Sequence, residues 1–499
     1  MLLDSRSVLS AARFATARAF AAEQERPGSL GQSLQVAFGL LLARERQGVA
    51  ALQRQFASIT APLRALHPQD GSPLAASIEA LLSDAAKGEG MTDLVAAEAA
   101  WHRLLTGLES LVLDHGRGRS GPWLALIGAW ESADLAAQLD PSSSDTAVSD
   151  MITEAQWLAY LQARFGEPDL QLRMFRPLPG GFGKQTYLFD VQGKAITGEF
   201  VLRRDPHIQV FDNDCHRIDR EFAVIAAVHA QGFPAPDVVW LDTAHPALPG
   251  GDFLVMRRAA GEGGGSVFSS AGALSADFSR LLAGILARLH ALPPLPSLAE
   301  AADSINARRW AMPLRQCVQE YLNDWMDLYQ SEGHLPSPTV TALLRWVADN
   351  VPDVEGRPVL LHGDIGFHNL LLDQGQLTAV LDWEFAHLGD PAEDLAYVRN
   401  TIGGMLDWDA FMAQYIEQGG HPVDEARLVF HQVWGQLRNA TAANLLARKF
   451  HDGRVDDLKV AILPNLYIPQ FLKAACDLVA RHEALTRDVV ITSDEAAHV

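Results

Sequence analysis

The chain has 499 residues, of which 48% are hydrophobic, and its formal net charge at pH 7 is −21. This length and apolar content predict a globular protein of two or three domains, and the negative charge opposes nucleic acid as a partner. No segment approaches the roughly 20 apolar residues of a membrane span, and the N-terminus lacks the apolar core of a secretory signal. We therefore expect a cytoplasmic protein with no membrane partner.

Residues 1–140 are predicted to form an α-helical accessory domain. Apolar residues recur at helical spacing at 34–42 and 94–113, and Gly and Pro at 116–122 mark a loop. This region shows no catalytic constellation, so an accessory role or a homodimer contact is the function we favour for it. The polar, turn-rich segment 140–145 is interpreted as a linker.

Residues 151–256 have the pattern of a small lobe built on a β-sheet. A helix is predicted to begin at Thr153, and three β-type runs follow at 170–175, 186–191 and 198–203. This order of elements is the one expected of a kinase small lobe.

The glycine-rich turn Pro179-Gly180-Gly181-Phe182-Gly183-Lys184 falls between the first two of these runs. Backbone N–H groups in such a turn can approach phosphate oxygens, so Gly181 and Gly183 are candidate nucleotide-binding residues. Lys184 would add a phosphate-binding charge. Taken alone, the turn fits an ordinary glycine-rich hairpin equally well.

Arg203 and Glu221 are the predicted ion pair of the nucleotide site. In protein kinases a strand Lys contacts the phosphates and pairs with a helix Glu, and Arg203 takes the place of that Lys because a guanidinium can bind phosphate oxygens. Glu221 belongs to an amphipathic helix predicted at 217–230; without Arg203 it would be an ordinary surface residue. Arg204 is expected to lie on the opposite strand face and to be solvated.

Residues 252–258 are predicted to form the last strand of the small lobe and the start of the hinge. Backbone groups near Met256 and Arg258 would then read the adenine edge, without distinguishing ATP from GTP. From 274 onward, long amphipathic helical segments dominate, and residues 257–490 are predicted to form the large lobe of the kinase-like fold. The chain is thus predicted to have an α+β, bilobal, protein-kinase-like fold after an all-α domain.

The catalytic candidates match a kinase motif. His362, Asp364 and Asn369 fill the positions of H-x-D-x-x-x-x-N, and Asp382 is the later Asp. In that motif the first Asp accepts the substrate hydroxyl proton, and the Asn and second Asp bind Mg²⁺. A short buried strand at 357–361 would deliver the loop, and a hairpin would return the chain to the second Asp. The segment at Asp364 and the segment at Asp382 would each, taken alone, be read as a turn or strand end. Their order and spacing together favour phosphoryl transfer. The His is taken as structural.

A transition-metal site formed by His362, Asp364, His368 and His387 is the rival interpretation, although helical ligand spacing such as H-E-x-x-H is missing. His368 is otherwise a variable loop residue that could line the acceptor pocket. Glu384 either approaches the predicted cleft that Asp364 and Asp382 face or has a helix-cap or structural role.

Further candidates concern the acceptor and the large lobe. Arg438 and Asn439 are candidate substrate-binding residues, with a buried ion pair as the alternative for the Arg. Asp390 and Asp394 open a predicted helix, where acidic residues favour the positive end, and are taken as structural. The widely spaced Cys residues predict free thiols.

The chain resembles the aminoglycoside phosphotransferase and choline kinase superfamily, and within it the phosphotransferase domains related to those fused to some acyl-CoA dehydrogenases. The runs that carry the resemblance are HGDIGFHNLL at 362–371, LDWEFAHLGDPAEDLA at 381–396, PGGFGKQTY at 179–187, FVLRR at 200–204 and REF at 220–222. It covers about residues 151–480. Those relatives usually carry Ser-Asn at the position of Gly183-Lys184.

This resemblance implies an ATP- and Mg²⁺-dependent phosphotransferase that acts on a hydroxyl group of a small molecule, such as a hydroxyacyl-CoA. An antibiotic such as an aminoglycoside is the alternative acceptor. A pseudokinase that binds a partner is the non-enzymatic alternative, which the retained Asp364, Asn369 and Asp382 oppose and the altered Gly183-Lys184 leaves open.

Overall fold

The computed structural model describes residues 49–68, 72–115, 120–131, 152–178, 183–206, 210, 216–243, 245, 248, 251–263, 275–298, 305–366, 369–452, 454–455, 460–461 and 463–496. The predicted helical run at 34–42 and the predicted linker at 140–145 lie outside these residues. The described residues form two compact units. One, called the helical unit below, comprises the described residues within 1–149, 322–351 and 433–499. The other comprises the described residues within 150–321 and 352–432.

The helices are α1 (49–66), α2 (Pro73–Glu89), α3 (Leu94–His115), α4 (Ser120–Trp123, continued by a π-helical turn at Leu124–Gly128), α5 (Glu154–Phe165), α6 (Ile218–Ala230), α7 (Ala276–His290), α8 (Ala307–Trp310), α9 (Leu314–Ser331), α10 (Pro338–Asp349), α11 (Pro391–Ile402), α12 (Trp408–Glu417), α13 (Glu425–His451) and α14 (Ile468–Ala496). The strands are β1 (Gln171–Leu178), β2 (Gln185–Gln192), β3 (Thr197–Arg204), β4 (Val238–Asp242), β5 (Phe253–Arg257), β6 (Glu262–Gly263), β7 (Val359–Leu361), β8 (Leu370–Asp373), β9 (Gln376–Val380) and β10 (His387–Gly389). No helix in this described part is long and apolar enough to cross a membrane.

The helical unit contains buried carboxylates at the N-terminus of α10. Glu131 accepts hydrogen bonds from the Ser337 hydroxyl at 2.7 Å and from the Thr339 backbone N–H at 3.0 Å. Glu109 accepts the Ser337 backbone N–H at 2.9 Å. The first N–H groups of a helix have no partner within the helix, so these carboxylates satisfy donors that burial would otherwise leave unpaired. The predicted loop at 116–122 ends early, because helix α4 begins at Ser120.

The other unit begins with α5, whose start is fixed by a capping box in which Thr153 and Gln156 cap each other's backbone N–H groups. Strands β1 to β5 follow and form an antiparallel sheet in the order β1-β2-β3-β5-β4. Trp157 of α5 packs edge-on against Phe189 and Phe253 at ring-centroid distances of 5.2 and 5.5 Å. This aromatic core anchors α5 on the sheet.

The remaining strands of this unit are short and carry the segment around Asp364. β7 pairs with β10, and β8 pairs with both β6 and β9. The β8–β9 hairpin turns at Gln374 and Gly375, with φ angles of 50° and 79°. The predicted strands and hairpin are thus present, and the predicted α+β fold class with preceding helices is confirmed.

Candidate active site

The loop after β7 is held by Asp394, a buried residue in the first turn of α11. Its carboxylate accepts the backbone N–H groups of His362 at 3.0 Å and Gly363 at 2.9 Å. Gly363 has a φ of 78°, and a Cβ there would lie 2.5 Å from the Phe385 carbonyl oxygen. Only glycine fits this position in the loop that presents Asp364.

His362 joins the two segments that carry the predicted catalytic carboxylates. Its Nε2 lies 2.8 Å from the carbonyl oxygen of Leu381, and its Nδ1 lies 3.2 Å from the backbone nitrogen of Asp364. This pattern requires Nε2 to donate and Nδ1 to accept, which is the neutral imidazole. Burial lowers the pKa of His362, in keeping with the neutral form.

Asn369 lies beside Asp364, as predicted from the motif. Its side-chain N–H₂ group donates to the Asp364 carbonyl oxygen at 2.9 Å and to Oδ2 at 3.0 Å. The Asn369 carbonyl oxygen accepts the backbone N–H of Leu381 at 2.7 Å. The β8–β9 hairpin thereby brings the Asn369 and Asp382 segments together.

Asp382 has left-handed backbone dihedrals, φ 65° and ψ 65°. This region is uncommon for residues other than glycine, and such conformations concentrate at functional sites. The Asp382 carboxylate forms an ion pair with Arg203 of β3.

Arg203 connects the sheet, α6 and the segment after β9. Its Nε lies 2.9 Å from Oε1 of Glu221, and one terminal nitrogen lies 3.6 Å from Oε2 of Glu384. Burial alone would lower the pKa of Arg203, but the carboxylates of Asp382, Glu221 and Glu384 raise it above its ordinary value. The predicted Arg203–Glu221 pair is therefore present and also reaches Asp382.

Glu384 is enclosed by charged groups. Burial and the neighbouring Asp382 carboxylate raise the pKa of Glu384 to about 8. A Cβ added to Gly183 would lie 3.2 Å from both of its carboxylate oxygens, so the end of the glycine-rich turn lies directly against Glu384. Glu384 thus lies among the ion pairs of Lys184 and Arg203, and its role in the site stays a prediction.

Lys184 is buried among ion-pair partners. It forms an ion pair with Asp205, donates to the carbonyl oxygen of His216, and lies 3.9 Å from Oε2 of Glu384. Its side chain is 5% exposed. The predicted phosphate-binding charge is thus engaged by protein groups, while Gly181 lies outside the described residues.

At the hinge, Met256 is buried in β5 and pairs with β3 and β4. The Arg258 backbone N–H donates to the Glu199 carbonyl oxygen at 3.1 Å, and its guanidinium lies 3.2 Å from Glu199 Oε2. Arg258 therefore keeps only its carbonyl oxygen for an adenine edge.

The expected solvation of Arg204 is wrong. Arg204 is 1% exposed, and its Nε donates to Oε1 of Gln185 at 2.8 Å. Both faces of β3 are covered near its end, so the alternation of a half-exposed strand does not hold there.

The other predicted residues lie in different places. Arg438 is buried and Asn439 is partly buried on α13, within the helical unit, and His368 lies outside the described residues. His387 bonds the Phe385 carbonyl oxygen at 2.9 Å. Among the residues that the structure describes, no group of three or more His, Cys, Asp or Glu side chains is arranged to hold a metal ion.

Two residues of this region were not singled out from the sequence. His216 Nδ1 lies 2.9 Å from the Glu384 carbonyl oxygen, and the Arg220 guanidinium donates to the Ala386 carbonyl oxygen. They attach the start of α6 to the segment that follows Asp382. Nothing in the sequence around His216 indicated this contact, whereas the position of Arg220 next to Glu221 was a usable signal.

Comparisons with known proteins bear out the predicted kinase-like fold class. The model of the phosphotransferase enzyme family matches residues 175–431. Acyl-CoA dehydrogenase family member 11 from Gallus gallus is 28% identical over 259 residues, covering 47% of this chain and 31% of that protein. The Homo sapiens protein of the same name is 29% identical over 217 residues, covering 43% and 26%. The matches thus span less than a third of these relatives' own length.

Two solved structures are also similar. Macrolide 2'-phosphotransferase MphH from Brachybacterium faecium has a TM-score of 0.41 and 21% identity, covering 62% of this chain and 98% of that one. A thermostable mutant of aminoglycoside phosphotransferase APH(4)-Ia, solved with ADP and hygromycin B, has a TM-score of 0.38 and 17% identity, covering 64% and 97%.

Proposed function

Since the chain belongs to the phosphotransferase enzyme family, we propose that it transfers the γ-phosphoryl group of ATP to a hydroxyl group of a small molecule. One observation carries the proposal. The Arg203 guanidinium contacts Glu221 of α6 and also Asp382 of the predicted metal-binding segment. In kinases the strand cation, the helix Glu and this Asp must assemble around the nucleotide phosphates.

The donor set of the site fits Mg²⁺. Asn369 and Asp382 offer amide and carboxylate oxygens, the ligands that Mg²⁺ takes alongside water and phosphate oxygens. The hydrogen bond from the Leu381 backbone N–H to the Asn369 backbone carbonyl oxygen holds the segments that carry these two donors together. When bound, Mg²⁺ neutralises charge on the β- and γ-phosphates.

The reaction assigns one step to Asp364. The acceptor oxygen bonds to the γ-phosphorus, the bond from that phosphorus to the β,γ-bridging oxygen breaks, and ADP leaves. The Asp364 carboxylate accepts the hydroxyl proton. Asn369, which contacts Oδ2 of Asp364 at 3.0 Å, fixes the orientation of that carboxylate.

For the acceptor we propose a hydroxyacyl-CoA or another hydroxyl-bearing catabolic metabolite. The supporting observation is the identity of 28 to 29% with the acyl-CoA dehydrogenase family members. In those proteins a segment similar to this chain occurs in a protein named as an acyl-CoA dehydrogenase family member.

The test is a search for a phosphorylated acceptor. The protein is incubated with Mg·ATP and a panel of hydroxyacyl-CoA thioesters, aminoglycosides, macrolides and amino alcohols, and products are identified by mass spectrometry. A phosphorylated thioester that Asp364→Asn does not form supports the proposal. Asp373→Asn, an exposed carboxylate in the β8–β9 hairpin, is the matched control and should keep full activity. A phosphorylated antibiotic would replace the acceptor class, and no binding of Mg·ATP would favour a pseudokinase.

A further inference from the structure

Lys184, the last residue of the glycine-rich turn, has a charged group that is buried among protein groups. Its side chain is 5% exposed and that of its ion-pair partner Asp205 is 2% exposed. A buried ammonium is stabilised only when carboxylates and carbonyl oxygens surround it. Here Asp205, the carbonyl oxygen of His216 and, at 3.9 Å, the carboxylate of Glu384 surround it.

The partners of Lys184 lead directly to the start of α6. The second oxygen of Asp205 accepts the backbone N–H of Ile218, the first residue of that helix, at 3.2 Å. His216, whose carbonyl oxygen accepts from Lys184, lies two residues before it and contacts the Glu384 carbonyl oxygen at 2.9 Å through its ring. One ammonium group thus joins the turn, the helix start and the segment after Asp382.

The position of α6 determines the position of Glu221, which pairs with Arg203. Glu384, the other group beside Lys184, also lies 3.6 Å from Arg203. Displacement of either neighbour would therefore move the guanidinium that contacts Asp382. These contacts give Lys184 an indirect path to the nucleotide site.

We propose that Lys184 is a positioning residue for the phosphate and Mg²⁺ part of the nucleotide site, acting through Asp205 and Glu384 rather than by touching phosphate. The inference rests on the proposed function, since it assumes that the site binds Mg·ATP. Removal of the ammonium leaves Asp205 buried without its cation, and α6 and Glu384 lose their common anchor. Binding of the phosphates should then weaken, while binding of the adenosine moiety should not.

The experiment measures Kd for Mg·ATP and for adenosine by calorimetry, and needs no acceptor. The variants are Lys184→Met, Asp205→Asn and the double variant in the full chain. Lys194→Met, in the exposed β2–β3 connection, is the control and should bind like the wild type. We expect each single variant to weaken Mg·ATP binding by about tenfold, the effect typical of residues that orient ligands. Adenosine binding should change less than about twofold, and the double variant should resemble the single variants because both act through one contact.

Three outcomes would overturn the inference while leaving the proposed function intact. The first is unchanged Mg·ATP binding by Lys184→Met. The second is a double variant with the product of the two losses, about 100-fold, which would mean that Lys184 acts independently of Asp205. The third is equal loss of adenosine and ATP affinity, which would indicate a general folding defect. A wild-type protein that binds no Mg·ATP would instead overturn the proposed function together with this inference.

Discussion

The imidazole of His362 bridges the backbones of Asp364 and Leu381, at 3.2 and 2.8 Å. Leu381 immediately precedes Asp382, so one neutral ring fixes the spacing of the candidate base and the candidate metal-binding carboxylate. The same ring lies 4.7 Å, centroid to centroid, from the indole of Trp383. His362 is therefore held by hydrogen bonds through its nitrogen atoms and by packing of its ring against Trp383.

His362→Phe should separate these two contributions. Phe keeps a ring against Trp383 but loses both nitrogen atoms, so the Asp364 and Asp382 segments are no longer tied together. We expect the turnover rate to fall by about 100-fold, the cost of a small misplacement of reacting groups. Mg·ATP affinity should fall less than turnover does, because Asp382 keeps its ion pair with Arg203. Steady-state kinetics and calorimetry measure the two effects.

His67→Phe, in the loop after α1, is the control for the loss of an imidazole. Its turnover should match that of the wild type. Wild-type turnover in His362→Phe would show that the bridge does not contribute to catalysis.

Arg203→Met should weaken Mg·ATP binding more than Arg203→Lys does. The guanidinium contacts Glu221, Asp382 and Glu384 together, and its planar fork lets it serve several oxygens at once. We expect about a 100-fold loss of affinity for the Met variant and about tenfold for the Lys variant, on the scale of charge-assisted hydrogen bonds.

Arg257→Met is the matched control on the neighbouring strand β5. Its guanidinium is exposed and lies 3.2 Å from Asp237, so its loss should change Kd by less than about twofold. If the substitutions at 203 and 257 changed the Kd for Mg·ATP equally, Arg203 would have no specific role in nucleotide binding.

Local patterns were sufficient to predict the strands and the order of the catalytic motif. The run predicted at 186–191 lies within β2, and the run at 198–203 lies within β3, because each is short, contains aromatic and aliphatic residues, and lies close to Gly or Pro. The spacing of Asp364 and Asn369 predicted their proximity, because a five-residue loop cannot separate its ends far.

Long-range burial could not be predicted in this way. Arg204 was expected in solvent, yet Gln185 of the adjacent strand and the surrounding core enclose it. Lys184 lies near its partner Asp205 only because β2 and β3 pair. The discontinuous helical unit, which includes 322–351 and 433–499, likewise depends on contacts between distant segments that composition does not encode.

Asp394→Asn should destabilise the protein and alter its acid sensitivity. Burial alone would raise the pKa of Asp394, but hydrogen bonds and charge from His290 and the backbone N–H of His362 hold it below its ordinary value. A carboxyl whose folded pKa is lowered stabilises the fold above its unfolded pKa of about 4, and this contribution is lost as the pH falls below that value. Asn cannot supply the same acceptors, so we expect a loss of about 3 kcal/mol at pH 7.

Urea unfolding at pH 7 and at pH 3, below the unfolded pKa, measures both effects. The difference between wild type and Asp394→Asn should be largest at pH 7 and shrink as the pH is lowered. Asp373→Asn, which changes an exposed carboxylate, should unfold like the wild type at both values. A difference that grows toward acid would contradict the assigned direction of the pKa.

Glu131→Ala should destabilise the helical unit by about 3 kcal/mol, the cost of leaving buried donors unpaired and opening a cavity. Glu131 is 6% exposed, and it accepts the Ser337 hydroxyl at 2.7 Å and the Thr339 backbone N–H at 3.0 Å. Both donors lie at the buried start of α10, where water cannot replace the carboxylate. Glu89→Ala, which removes an exposed Glu at the end of α2, is the control and should cost less than about 0.5 kcal/mol.

A double-mutant cycle with Ser337→Ala tests the hydrogen bond itself. The double variant should lose less stability than the sum of the two single variants, because the Ser337 hydroxyl and the Glu131 carboxylate share one hydrogen bond. Strict additivity of the two losses in urea unfolding would mean that this hydrogen bond does not stabilise the start of α10.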